Sequence, residues 1–200
     1  MGIMFFVPFL VNDFLIPAVI YLGYMHYGTD DHTYSFIVSN VQMFSPFPAA
    51  FWIYLYLVNY IDVKGNEIFY VASRMKTGEV LFFYILYTVT NTVPFLWYAQ
   101  MYPSLVWEWL HLVIIYFFMA AVAYFMCYLL RSIALAFIPV LCYTFLAVSG
   151  NSGPRPPFWS FYESSGMSPA MLGTKYIWFL LAGVLFLIAG SVLNKIYTDY

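Results

Sequence analysis

Asp13 is the one carboxylate that lies well inside a long apolar run of this chain. A charge at that depth costs at least about 2.5–3.5 kcal/mol on insertion scales, and it calls for a counter-charge, a proton or water. Two readings are open. Asp13 is a pathway or coupling group within a membrane, or the first span starts later and Asp13 sits near the boundary. Further along, Tyr84, Tyr87 or Thr88, Asn91, Phe95 and Tyr98 recur at steps of three and four. On a helix their hydroxyls, amide and rings share one face. That face either lines a path for an amphiphile or joins neighbouring helices.

The histidines are His26, His32 and His111. His111 follows Glu108 by one helical turn, near the outer end of an apolar run. Haem ligation between spans needs facing histidines at matched depths, and only His111 lies inside a run. No HExxH or GxSxG motif occurs, and no Ser–His or acid–base pair is expected at membrane depth. Walker and Gly-rich phosphate loops are absent, so the chain is not expected to hydrolyse ATP itself or to bind a cofactor. Cys127 and Cys142 fall in separate apolar runs and read as small apolar fillers.

The most polar stretch runs from Asp62 to Glu79. Gly65-Asn66 can end one helix, and Asn66 can cap the next with Glu67 in its first turn. Ile68, Val71 and Met75 come next at helical spacing with Phe69 beside them. Arg74 and Lys76 near the far end suit the helix dipole, and Gly78 closes it. The expected element is a short amphipathic helix on one membrane surface. It is either an interfacial connector resting on headgroups or a docking helix for a partner, presenting Asn66, Glu67, Ile68, Phe69, Val71, Arg74 and Lys76.

These groups need elements to hold them, and composition names the kind. The 200 residues are 64% hydrophobic and 8% charged, against about 45–50% and about 25% in soluble domains. Mean hydropathy is +0.81. So few charges cannot cover the surface that a soluble chain of this length leaves exposed. Lipid demands that backbone groups pair internally, and continuous apolar runs of about 20 residues select helices over barrel strands. The expected fold is an all-α polytopic membrane protein with six transmembrane helices. The spans are about 3–24, 41–60, 80–101, 105–130, 133–148 and 175–193, in one domain over residues 1–200. Polar loops are expected over His26–Asn40 and Ser149–Thr174, and Pro46 and Pro48 are expected to kink or break the second span. The N-terminus lacks a basic region and cleavage site, so the first run is expected to stay as a span. With net charge −2 there is no basic field for nucleic acid.

Six spans put both termini on one side, together with Lys64, Arg74, Lys76, Arg131 and Lys195. Arg155 and Lys175 fall on the other. The excess of basic residues marks the cytoplasmic side. Trp97, Tyr98, Tyr102, Trp107, Trp109, Trp159 and Tyr162 gather near the outer boundary, where amphipathic rings belong.

On these features the chain resembles the type-2 ABC-transporter permeases, nearest to the small bacterial ones beside antimicrobial-peptide and drug ATPases. The resemblance rests on Asp62, Gly65 and Arg74-Met75-Lys76 between spans two and three. It rests also on the near-absent loop Arg131-Ser132 and on a re-entrant outer segment, Ser149–Thr174, before span six. It implies a short cytoplasmic coupling helix between spans two and three, a multi-pass bacterial plasma-membrane location and cytoplasmic termini. It further implies a separate ABC ATPase carrying ATP and Mg, and a second permease subunit, identical or paralogous. The transported molecule would be an amphiphile such as an antimicrobial peptide or drug. Members often open with a basic elbow helix. Here it is either missing or replaced by the apolar Ile3–Val11, which would move Asp13 toward the interface. An ion-coupled carrier using Asp13 and a non-transporting assembly protein are the rival expectations.

Overall fold

The computed structural model describes residues 6–28, 31–62, 76–149, 158–163 and 166–198. Among them every regular element is helical. Helix α1 runs from Val7–Phe9 through a π-helical stretch, Leu10–Leu15, into Ile16–Tyr27. Then come α2 (Asp31–Phe44), α3 (Pro46–Ile61), α4 (Lys76–Met101), α5 (Leu105–Leu130) and α6 (Ile133–Ser149). Helix α7 opens at Pro169–Met171, widens into a π-helical stretch, Leu172–Tyr176, and continues as Ile177–Thr198. Among the described residues five stretches are long and apolar enough to cross a membrane: Val7–His26, His32–Ile61, Lys76–Met101, Leu105–Leu130 and Pro169–Ile196. The chain is an all-α, multi-pass membrane protein. Helix α6 is apolar and shorter, with Pro139 inside it.

Helix α5 is the trunk, with α3, α4, α6 and α7 packed around it. Its apolar residues run round the whole circumference, as a helix buried on all sides requires. Ile115, Tyr116, Met119, Ala123, Tyr124 and Cys127 are fully buried. Helix α1 lies outside this ring against α2 and the start of α3. Trp52 of α3 joins them through ring contacts to Phe9, Phe83 and Tyr87. Outward faces carry Leu22, Val93, Phe145 and Leu185, the surface expected against acyl chains.

Several boundaries differ from expectation. The His26–Asn40 loop is mostly helix, because α2 starts at Asp31. Thr33 Oγ1 donates to the Gly28 carbonyl at 2.6 Å across the turn, and Ile37, Val38 and Val41 bury one face. Helices α2 and α3 make a single span interrupted at Ser45, where Pro46 and Pro48 cannot donate to the Gln42 and Phe44 carbonyls. Helix α4 begins at Lys76 rather than Val80, and α7 begins at Pro169 rather than Lys175. Helix α1 passes without a break through the region of the expected elbow. Its π-helical stretch relieves the clash of the Pro17 ring with the backbone one turn earlier. Asn66, Glu67, Ile68, Phe69, Val71 and Arg74 of the expected coupling helix lie outside the described residues.

The tightest packing is between α5 and α7. A Cβ on Gly190 would stand 2.5 Å from Tyr124 Cδ1 and 3.3 Å from Phe125 Cα. One on Gly183 would stand 2.9 Å from the Phe117 ring and 3.3 Å from Phe118 Cα. Small residues let membrane helices approach closely enough to gain dispersion contact. Tyr124 is fully buried and cannot swing aside. Gly190→Leu is therefore expected to destabilise the folded protein by about 1–3 kcal/mol, read as an earlier thermal transition in detergent. Leu185→Phe on the lipid face should leave that transition in place.

Candidate functional site

Two interruptions of helix bring polar groups into the bundle. The first is the break at Ser45. Ser45 Oγ donates to the Val41 carbonyl at 2.7 Å and accepts from Tyr116 OH at 2.9 Å. Tyr87 OH donates to the Ser45 carbonyl at 2.5 Å, and Asn12 Nδ2 donates to Tyr87 OH. Ser45, Tyr87 and Tyr116 lie near the middles of their spans, so this cluster sits near mid-membrane. The π-helical stretch of α1 supplies Asn12.

The second interruption is the non-helical segment Phe158–Glu163, which folds back into the bundle ahead of α7. Ser160, Phe161 and Glu163 are buried. Gln42 grips it like a strand partner. Its Oε1 accepts from the Glu163 backbone N–H at 2.6 Å, and its Nε2 donates to the Glu163 carbonyl at 3.2 Å. The same Nε2 donates to Glu108 Oε1 at 2.7 Å. His111 Nδ1 lies 3.1 Å from that oxygen, and Lys175 Nζ lies 3.5 Å from Glu163 Oε2. Tyr176 packs its ring 4.2 Å from the His111 ring, and its hydroxyl donates to the Phe161 carbonyl at 3.1 Å. Tyr143 OH donates to the Trp159 carbonyl, and Ser160 Oγ to the Ala147 carbonyl. Irregular backbone at membrane depth persists only where protein encloses and pairs it.

Glu108 and His111 form an acid–base pair in the first two turns of α5. Glu108 and His111 are both fully buried, and Glu108 Oε2 and His111 Nε2 have no hydrogen-bond partner among the described residues. The spacing of Glu108 and His111 was visible in the chain, but Gln42, Glu163 and Lys175 come from three distant segments. Among the described residues no three His, Cys, Asp or Glu side chains gather as a metal site.

The expected pathway stripe faces the interior. Asn91 and Tyr98 are buried, and Tyr84 and Thr88 are half-buried. Asn91 Nδ2 donates to the Tyr87 carbonyl, Thr88 Oγ1 to the Tyr84 carbonyl, and Tyr84 OH to the Val113 carbonyl of α5. Tyr84 also meets Phe117 edge-on. The two Tyr84 contacts join α4 to α5, whereas the Asn91 and Thr88 bonds stay within α4. Asp13 is half-buried and lines a groove between α1 and α4.

Lys76, expected on the docking face, points into the bundle. It is fully buried, with Nζ 3.3 Å from Asn194 Oδ1 and over the Tyr60 ring. Beside it, Thr77 Oγ1 lies 3.1 Å from Tyr124 OH and 2.7 Å from Ser191 Oγ. As the first residue of α4, Lys76 meets the ends of α3 and α7 before it can reach solvent. No family model, curated protein or solved structure matches the chain.

The grip of Gln42 is directly testable. Gln42→Leu strips partners from the Glu163 N–H and C=O and from Glu108, at about 1–3 kcal/mol for each group left unpaired. It should lower the thermal transition and open the α6–α7 connection to protease. Glu108→Gln keeps an acceptor oxygen and should cost less in both assays.

Proposed function

We propose that the chain is the membrane-spanning subunit of an ATP-driven transporter of the type-2 ABC class. It would act as a dimer with two copies of a separate ATPase that carries ATP and Mg. The observation that carries this reading is the fold-back of Phe158–Glu163 into the bundle immediately before the last span. That class places a re-entrant segment at this point. Supporting it, α5 and α6 are joined by Arg131-Ser132 alone, with Arg131 in the left-handed region at φ 51°. Ser132 Oγ then accepts from the Leu135 N–H at 3.5 Å as α6 begins.

In this reading α2 with α3 is one span and α6 is another. Seventeen residues rise about 26 Å, close to the hydrocarbon thickness. Six spans return both termini to the cytoplasm on the side richer in Lys and Arg. ATPase closure would act on the stretch Asn66–Lys76, where the resemblance implies the coupling helix. The force enters α4 at Lys76 and Thr77, which are tied to α5 and α7 through Tyr124, Ser191 and Asn194. Rigid-body rocking of the bundle results, and an amphiphile passes between the two subunits. An ion-coupled carrier is the second reading, favoured by the buried Glu108–His111 pair.

Affinity purification in mild detergent separates the two. The expected result is an ABC ATPase recovered with the wild-type chain. Phe69→Ala and Arg74→Glu should each cut that recovery by about tenfold, as loss of an interface anchor does. Membrane levels of the chain should hold. Lys76→Ala should instead lower the stability of the chain itself. Recovery of no ATPase with wild type would transfer the case to the ion-coupled carrier. Orientation is checked in intact cells, where an impermeant thiol reagent should label Ser152→Cys and spare Lys64→Cys in a cysteine-free background.

A further inference from the structure

We propose that the groove beside Asp13 binds the charged head of a membrane-dissolved amphiphilic cation, an amine or quaternary ammonium on an apolar tail. The groove has a volume of about 370 Å³ and is lined by Asp13, Pro17, Thr90, Val93, Pro94 and Trp97. Two helix distortions meet to form it. Within the π-helical stretch Leu10–Leu15, Asn12 points inward to Tyr87 and its neighbour Asp13 faces the groove. Across from it, Pro94 interrupts the hydrogen bonding of α4. Asn12 reaches the middle of α4, whereas Trp97 stands one turn from its end at Met101. The groove therefore runs from the membrane boundary inward, and it opens on lipid past Val93, Trp97 and Phe14, which are exposed.

The chemistry of the site calls for a cation. Asp13 forms no ion pair among the described residues, and its Oδ1 is buried without a hydrogen-bond partner there. The titratable groups that feel its charge are Tyr87, Tyr98 and Tyr116, which carry no positive charge to offset it. A carboxylate supplies the counter-charge for an ammonium, and the Trp97 ring offers a face of the kind that attracts one. The open side leaves an alkyl tail in the acyl-chain region. Water-borne cations have no such route, so tail and charge are both required. The inference narrows the amphiphile of the transport reading to cations, and rests on that reading only for the passage of the bound cation across the membrane.

The test uses the purified full chain in phosphatidylglycerol nanodiscs and tritiated dodecyltrimethylammonium, read by scintillation proximity against empty discs. Wild type is expected to show saturable binding that an uncharged dodecyl analogue does not displace. Asp13→Asn should weaken it by at least about tenfold, Trp97→Leu by about threefold, and Asp13→Glu should retain it. Adding phosphatidylethanolamine to the discs identifies the source. Competition in wild type means that a lipid headgroup occupies the site, and its absence means that an added amphiphile does. Should Asp13→Asn fail to fold, Trp97→Leu and Asp13→Glu decide. Equal binding by Asp13→Asn and wild type, or no saturable binding by wild type, overturns the proposal; the first outcome is expected of a carboxyl that holds only a proton. No ATPase is needed, so failure here leaves the co-purification test untouched.

Discussion

Lipid offers no hydrogen bonds, so every peptide group that leaves a helix within the bilayer must find its partner in the protein. Two segments here leave helix within the bundle, and buried polar residues gather around each. Tyr87 and Tyr116 serve the break at Ser45. Gln42, Tyr143 and Tyr176 serve the segment Phe158–Glu163. Glu108 and Tyr116 both come from α5, and the other helices are arranged so that their polar groups can reach it. Burying α5 on all sides is what makes either interruption affordable.

That dependence explains which parts of the fold were legible in the chain. Composition and run length point to lipid and to helices, and the apolar run Leu105–Leu130 coincides with α5 because nothing polar interrupts its core. Helix α2 was hidden. Thr33 and Asn40 depress the hydropathy of its part before the expected span, yet both are bonded within the fold. Hydropathy scores a side chain by its own polarity and is blind to a partner elsewhere in the chain. The same blindness concealed the network itself. Gln42, Glu108, Glu163 and Lys175 are brought together by packing, and no local spacing links them. His111 beside Glu108 was the one visible fragment. Lys76 failed in the opposite sense, since a basic residue at the end of a polar stretch reads as surface until Asn194 and Tyr60 are placed against it.

Burial of Lys76 changes how the inner end of the bundle is understood. The helix that succeeds the polar connector does not begin as a free stalk. Its first two residues are bonded to α5 and α7, and Asp62 at the end of α3 accepts from the Ile133 N–H as α6 starts. Any displacement of the connector is therefore shared among several helices at once. The close contact of α5 with Gly183 and Gly190 of α7 extends that sharing along the membrane normal. A bundle built this way moves as a body more readily than it bends, which suits rocking better than the sliding of one helix.

The disposition of charge separates two kinds of polar site. Glu163 faces Lys175, and Glu108 faces His111 and Gln42, so each of these carboxylates finds its partner within the fold. Removing one member of such a set leaves an uncompensated group and costs stability, as expected of groups that hold a segment in place. Asp13 stands apart. Its neighbour Asn12 is drawn into the core by Tyr87, while Asp13, one residue on, faces a groove that opens to lipid. Adjacent side chains on a helix point about 100° apart, which lets the two diverge in this way. A carboxylate maintained there at a cost of some kcal/mol, in a fold that pairs Glu108 and Glu163 internally, is placed to meet something that arrives from outside the chain.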